Sequence, residues 1–389
     1  MGDLLQPVVR PVKILDDIEY QLVTARRSRG GIIAREIATG KAILTKTQFE
    51  TRSGDFLISR RQIVHGACGT VPDALHGALV SGEYDTLLPT EQLDRAFLRH
   101  FPHDIYFQQT CFHSSIGVHV EKLIFKLDEW LRWRFNIPPV GEQRRIAAVI
   151  DIWDDAVATA DRLAEIKARR FSGLTQLLIS RAEGRKDELI SFADTSGAKC
   201  DVDEGEFDES IELENVESRT GQLASRTSTD GLSGQRVRFE PGDTLFAKLR
   251  PYLRKSYYAE EPGMASTEMW VLRANRTRCL PRYLNYLIRS DLFQAQADRP
   301  TGSRMPRADW SWVQETPLPL PGLNEQGHIV SILEAAEADW HLSIDAVSAL
   351  RRQKRGLMQK LLTGEWRVPA TGGAFVPGSP VTDRLEAAE

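Results

Sequence analysis

The chain has 389 residues, which at roughly 100–200 residues per domain implies about two to four domains. Apolar residues make up 41% and charged residues 27%, a balance that excludes disordered and collagen-like classes. Fifty Lys and Arg against 54 Asp and Glu leave a formal net charge of −4, which argues against a uniformly basic nucleic-acid binder. The most apolar run, Ile146-Ala147-Ala148-Val149-Ile150, stops at Asp151, far short of the ~20 residues that a membrane-spanning helix needs. Asp3 and the lack of a long apolar run near the first residue predict no secretory signal. Cys68, Cys111, Cys200 and Cys279 are widely spaced and form no Cys-x-x-Cys pair, so reduced thiols of a cytoplasmic protein are expected.

The first block, residues 1–137, alternates apolar and polar residues between Gly and Pro punctuation and reads as strands with turns. Gly54-Asp55-Phe56-Leu57-Ile58-Ser59-Arg60 and Leu79-Val80-Ser81-Gly82-Glu83-Tyr84 are its clearest strand-and-turn segments. Lys and Arg number 17 against 16 acids here, and six of the eight histidines fall in this block. His100, His103, Cys111, His113 and His119 match no tight Cys/His metal template, so no metal site is expected.

Pro138 and Pro139 bar helix before them, and about 40 residues without proline follow. Apolar residues then recur at spacings of three and four: Ile146, Val149, Ile150, Trp153 and Val157, continuing to Leu163, Ile166, Leu174, Leu177 and Leu178. A helix of that length is ~60 Å long. Residues 138–184 are therefore expected to be one long helix with its stop at Gly184.

The second block, residues 185–317, opens with 12 acids against Lys199 alone between Asp187 and Glu217. From Ser218 to Pro317 the balance reverses to 16 Lys and Arg against 10 acids. Gly242-Asp243-Thr244-Leu245-Phe246-Ala247-Lys248 repeats the first Gly-Asp segment, and Met264-Ala265-Ser266-Thr267-Glu268-Met269 repeats the segment around Glu83. Arg282 to Phe293 has helical spacing. Arg60, Arg61 and Gln62 in the first block, and Lys248, Arg250, Ser303, Arg304 and Arg307 in the second, are the candidates for phosphate and base-edge contact.

Residues 318–366 form a second copy of the helical segment. At a constant offset of 183, Pro138 maps to Pro321, Glu142 to Glu325, Gln143 to Gln326 and Ile146 to Ile329. The match runs on through Gly173 over Gly356 to Leu178-Ile179 over Leu361-Leu362. Two such stripes are expected to pair as an antiparallel coiled coil, with Gly364 as the stop of the second. Residues 367–389, rich in Gly, Pro, Ala and Thr, are expected to be a flexible tail. The fold class is α+β: two tandem α/β blocks separated by two long helices, a pseudo-twofold internal repeat.

Signatures of catalysis are missing from the sequence. Gly40-Lys41 is followed by Ala42, with Arg35 where a phosphate-binding loop needs glycine. Asn136-Ile137-Pro138-Pro139-Val140 lacks the adjacent proline and aromatic of an amino-methyltransferase loop, and Glu165-Ile166-Lys167 sits mid-helix without an acidic partner. No Gly-x-Ser-x-Gly elbow surrounds Ser81 or Ser266. A DNA-modifying enzyme with an unrecognised site, or a coiled-coil scaffold that does not touch DNA, are the alternatives.

Pro-x-x-x-Glu-Gln-x-x-Ile opening a long helix, Leu361-Leu362-Thr363-Gly364 closing one, and Gly242-Asp243-Thr244-Leu245-Phe246-Ala247-Lys248-Leu249-Arg250-Pro251-Tyr252-Leu253 before it resemble the specificity subunits of type I restriction–modification systems. The resemblance implies that residues 1–137 and 185–317 are target recognition domains, each reading one half of a gapped, asymmetric target in double-stranded DNA. It implies that the helices set the gap and dock two methyltransferase subunits, with Glu142, Gln143, Ile146, Glu325, Gln326 and Ile329 as spacer or docking positions. Motor-nuclease subunits would complete the complex. No cofactor is expected in this chain; S-adenosylmethionine, ATP and Mg would belong to the partner subunits.

Overall fold

The computed structural model describes residues 1–195, 197–299, 305–370 and 375–377. Two helices dominate it, α1 (Val140–Arg181) and α2 (Leu323–Leu362). The chain divides into two compact units, Met1–Thr159 with Val347–Glu389, and Ala160–Ala346. Each unit thus holds one block, half of α1 and half of α2.

In the first unit a four-stranded antiparallel sheet has the order Leu5–Pro7, Tyr84–Pro89, Phe56–Ser59, Cys68–Thr70. Beside it lies a five-stranded sheet ordered Pro11–Val12, Gln48–Glu50, Leu79–Ser81, Glu19–Ala25, Ile32–Thr39, with a parallel contact at Leu22 and Leu79. The second unit repeats both. Its four-stranded sheet runs Ala193–Thr195, Met269–Ala274, Thr244–Ala247, Ser256–Tyr258. Its five-stranded sheet runs Lys199–Asp201, Gln235–Phe239, Gly263–Ser266, Glu209–Ile211, Thr227–Ser228, again with a parallel contact, Ser210 to Met264. Strand for strand the orders coincide, so the duplication extends through the blocks as well as the helices.

The Gly-Asp turn before each central strand shows why that segment recurs. Gly54 and Gly242 hold φ of +85° and +96°, where a side chain is strained. The next residue, Asp55 or Asp243, is almost wholly buried and accepts a backbone N–H across the turn, from Arg52 at 2.7 Å or Glu240 at 2.8 Å. An arginine neutralises each buried carboxylate: Arg10 at 2.5 and 3.1 Å in the first unit, Arg273 at 2.8 and 2.6 Å in the second.

Each core joins a block to the two long helices. In the first, Phe56, Phe97, Phe107 and Trp130 pack with Ile146 and Ile150 of α1 and Leu361 and Leu362 of α2. In the second, Phe246, Tyr283 and Phe293 pack with Ile329 and Leu333 of α2 and Ile179 of α1. The two helices run antiparallel within each unit. Lys354 pairs with Asp154 in the first, and in the second Lys167 reaches Asp339 at 2.6 Å while Phe171 stacks on Trp340 at 5.6 Å. The pairing expected from the repeat is therefore present, but the apolar stripe is divided. Leu163, Ile166, Leu177 and Ile332 lie at 41–61% exposure, covered by neither a block nor the facing helix.

The helical pattern over Arg282–Phe293 resolves into two helices, Pro281–Arg289 and Asp291–Ala297, broken where Ser290 turns extended (ψ 155°). The segment from 367 on, expected to be loose, is held at its start. Arg367 pairs with Glu142, Arg145 donates to the Val368 carbonyl at 3.0 Å, and Trp366–Arg367 pairs with Val376–Pro377. Residues 371–374 and 378–389 lie outside the described residues. All four cysteines are buried, and none is in a disulfide. Among the described residues no helix is long and apolar enough to cross a membrane.

Candidate nucleic-acid interface

The same turn follows the central strand of both four-stranded sheets. Arg60 N–H donates to the Glu83 carbonyl at 2.9 Å, and Lys248 N–H donates to the Glu268 carbonyl at 3.0 Å. Two residues before each glutamate a serine hydroxyl accepts its N–H, Ser81 at 3.5 Å and Ser266 at 3.3 Å. Each glutamate then meets an arginine. Arg61 reaches Glu83 at 2.6 Å, and Arg307 grips Glu268 with bonds of 3.0 and 3.1 Å. The hydrogen bond from Arg307 holds the Glu268 carboxyl below the usual carboxylate range. Both arginines are largely exposed.

In the first unit, Arg60 also clasps the buried Asp85 at 3.0 and 2.5 Å, and Gln62 accepts from Arg27 at 2.8 Å. That last bond brings in residues the sequence reading passed over. Arg26, Arg27 and Arg29 form the tip of the hairpin between Glu19–Ala25 and Ile32–Thr39, with Ser28 and Arg29 at φ of +55° and +60°. Ser28 and Arg29 N–H groups bond the carbonyls of His65 and Gly66 at 2.7 and 2.9 Å, which pins the tip beside the Gln62 turn. The signal was present: Arg26-Arg27-Ser28-Arg29-Gly30-Gly31 between two alternating runs is hairpin-turn chemistry.

In the second unit the structure brings Lys248, Arg250 and Arg307 together. Leu249 bridges Arg307 as an antiparallel pair, Arg250 N–H donates to the Pro306 carbonyl at 2.8 Å, and Ala308 N–H to the Lys248 carbonyl at 2.8 Å. Arg250 is exposed and held at φ of +52°. Ser303 and Arg304 lie outside the described residues. Exposed ion pairs contribute only ~0–1 kcal/mol, so exchanging a glutamate for a phosphate costs these arginines little. Their planar donor forks also suit both phosphate and guanine edges.

The repeat positions on the helices look inward. Gln143 is fully buried; its amide donates to the carbonyls of Gln92 and Pro138 at 2.8 and 2.9 Å and accepts from Asp94 N–H at 2.7 Å. Gln326 does the same with Arg278 and Pro321, both at 2.8 Å, and with Leu280 N–H at 2.7 Å. Ile146 and Ile329 belong to the cores. Glu142 is buried beneath Arg367, whose hydrogen bonds hold its carboxyl below the ordinary range. Glu325, half-buried, accepts from Glu183 N–H at 2.9 Å. The neighbouring Arg144 is exposed, whereas the glutamines are not.

No protein-family model matches the chain. It is 27% identical over 123 residues to the type I restriction enzyme EcoDI specificity subunit of Escherichia coli, a match spanning 31% of this chain and 27% of that subunit. The HsdS subunit of Thermoanaerobacter tengcongensis aligns over 93% of this chain and 95% of its own, with a TM-score of 0.51 and 17% identity. A chain from a type I R-M system, solved for its complex assembly and conformational transition, aligns over 93% and 96% with a TM-score of 0.58 and 17% identity. The S subunit of a type I restriction–modification system from M. genitalium covers 92% and 94% with a TM-score of 0.51 and 13% identity. The duplicated sheets, the paired long helices and these alignments together give this chain the fold of the type I restriction–modification specificity subunits.

Proposed function

We propose that this chain is the sequence-reading specificity subunit of a type I restriction–modification complex, without catalytic activity of its own. The observation that supports this most is the duplication. The same two sheets, in the same strand order, recur in both units, and each ends its central strand in the same basic turn. In this reading residues 1–137 and 185–317 are the recognition domains, 138–184 and 318–366 the spacer, and 367–389 a tail. Arg60, Arg61 and Gln62, with Arg27 and Arg29, read one half of a gapped site in duplex DNA. Lys248, Arg250 and Arg307, with Ser303 and Arg304, read the other. Two modules that contact one DNA face must meet it about one turn, ~34 Å, apart or a multiple of it, and a helix of ~60 Å has a length of that order. Because the two blocks differ in sequence, the target is asymmetric.

The complex would include two methyltransferase subunits docked on the spacer, and motor-nuclease subunits. S-adenosylmethionine, ATP and Mg would serve those partners, in the cytoplasm. Partner subunits also supply much of the sequence-independent phosphate affinity, which fits the modest net charge of −4.

The experiment is a module transfer. Residues 185–317 are moved into another specificity subunit, and methylated sites are sequenced in cells carrying the complete system. One half-site should change and the other stay. A chimera that assembles with its methyltransferase yet alters both halves would sink this reading.

A further inference from the structure

Within the second unit a cavity of ≈ 450 Å³ opens beside the C-terminal half of α1, and none of the residues proposed to read DNA lines it. That volume falls in the range of small-molecule sites, roughly 300–1,000 Å³, and is far more than a single hydrated ion needs. Its walls divide by chemistry. Phe171 and Trp340, stacked at 5.6 Å, form an apolar side. Arg169, Arg219, Arg254 and Arg289 come to it from four separate segments, and no carboxylate is among the described residues that line it.

The four cations are unequal. Arg289 is committed to the buried Glu337 and lies over the Phe171 ring at 4.8 Å. Arg254 pairs with Asp291 at 2.7 Å, an acid that is itself 60% exposed, and Arg169 lies a loose 4.0 Å from Glu165. Arg219 sits in an exposed turn at φ +70°, fixed by its N–H bond to the Arg254 carbonyl at 3.1 Å. Arg219 and Arg254 are thus held together by backbone, and the acids nearest them, Asp291 and Asp298, lie outside the lining of the cavity.

A second, independent feature asks for a ligand. Gln294 also lines the cavity and is 1% exposed. Its Nε2 donates to the Ile288 carbonyl at 3.0 Å, but its Oε1 has no hydrogen-bond partner among the described residues. A buried acceptor left unpaired costs ~1–3 kcal/mol, and such exceptions call for an occupant that donates to them.

We propose that this cavity binds a free nucleoside phosphate. The phosphate lies against Arg219 and Arg254, the base lies along the apolar side, and an N–H or O–H of the base or sugar meets Gln294 Oε1. Inorganic phosphate supplies charge but neither the planar apolar part nor the volume. Duplex DNA carries the same phosphate ester but keeps its bases stacked, away from a cavity walled by Phe171 and Trp340. The proposal is separate from DNA reading and stands or falls without it.

The test is calorimetric titration of the full chain with ADP, with inorganic phosphate and a short DNA duplex as separate arms. ADP should bind one site per chain. Arg219→Ala, which is exposed, should weaken it by about tenfold or more. Gln294→Leu should weaken it similarly, with a modest fall in the melting temperature of the unliganded chain because the Nε2 bond to the Ile288 carbonyl is lost as well. Failure of ADP to bind at about millimolar concentration would overturn the proposal. So would equal affinity for ADP and phosphate, or ADP binding indifferent to Arg219→Ala. Displacement of ADP by the duplex, with the same loss in the Arg219 variant, would assign the cavity to the DNA backbone instead. Should Gln294→Leu fail to fold, the Arg219 variant and the competing arms still decide the matter.

Discussion

One position of the helical repeat carries Asp154 in α1 and Glu337 in α2, and the two units treat it in opposite ways. In the first unit Asp154 is half exposed and pairs with Lys354 of the facing helix. One turn earlier Asp151 holds Arg99 at 2.5 Å and the His100 Nε2 at 2.6 Å. In the second unit Glu337 is nearly buried. It accepts from the Tyr286 hydroxyl at 2.8 Å and from Arg289, with Arg282 at 3.8 Å. Burial raises the Glu337 carboxyl, but Arg289 and the Tyr286 hydrogen bond more than offset it, so it stays below the usual carboxylate range. The duplicated scaffold thus fixes where a carboxylate emerges between helix and block. The block then decides whether that carboxylate is a solvated ion pair or a buried hub.

The sharpest way to break this contrast is substitution at both positions. Glu337→Gln leaves Arg289 buried without its counter-charge and should destabilise the second unit by about 3–5 kcal/mol. Asp154→Asn should change the first unit by no more than ~1 kcal/mol. Hydrogen exchange read separately on peptides of each unit checks both, and equal losses would erase the distinction.

Where the units are alike, the same substitution should cost the same. Gln143→Leu and Gln326→Leu each strand a backbone N–H and two carbonyls that the amide had satisfied, so each should cost about 2–4 kcal/mol. Urea unfolding of the two variants measures it. A difference of more than ~1 kcal/mol between them would show that one block is held to its helix by something else.

That symmetry was the most legible part of the sequence. Pro138 with Glu142-Gln143 and Pro321 with Glu325-Gln326 mark equivalent helix starts, and the Gly54-Asp55 and Gly242-Asp243 turns mark equivalent strands. They are legible because a positive φ and a buried, bonded amide each tolerate so few residue types. What those glutamines do was not legible, since a docking residue and a buried anchor look the same in one dimension. The division of the helix stripe was hidden for a related reason. Periodicity tells that Leu163 and Ile150 share a face type, but not which length of that face a block will cover. The grouping of the basic candidates was read in part: Arg60, Arg61, Lys248 and Arg307 do gather at equivalent turns, whereas Arg27 joins only through its bond to Gln62, a contact across 35 residues of chain.

Acid should separate the units. Burial, reinforced by Arg29 and Lys354, lowers His103 from the usual histidine value to about 4, and burial also lowers His100 despite Asp151. A histidine whose folded pKa is depressed takes up its proton more readily when unfolded. These groups therefore withdraw stability from the first unit as pH falls from about 6.5 toward about 4. The Glu337 contribution to the second unit is complete above the unfolded carboxyl value and is lost only as pH falls through its lower folded one. Between pH ~7 and ~5 hydrogen exchange, corrected for the intrinsic rate, should show protection lost around residues 95–113 before residues 281–297. Loss in the opposite order would contradict the assignment.

The smallest expected change in stability tests the basic turns. Glu83→Gln and Glu268→Gln remove the carboxylate partner of Arg61 and of Arg307 without disturbing the backbone bonds that Arg60 and Lys248 make to the same two residues. Both pairs are open to water, so the melting temperature should not move measurably. DNA binding should respond instead, because a guanidinium no longer shared with glutamate is free to displace a counterion from phosphate. With the complete complex, each variant should bind nonspecific duplex more tightly at low salt, and its dependence of log affinity on log salt should steepen by about one contact. Discrimination should soften only in the half-site read by the altered unit, since the other turn keeps its own glutamate. A variant that changes neither the salt slope nor either half-site would place these turns away from the DNA, whatever the fold suggests. A variant that softens both halves together would show that the two units do not read their halves independently.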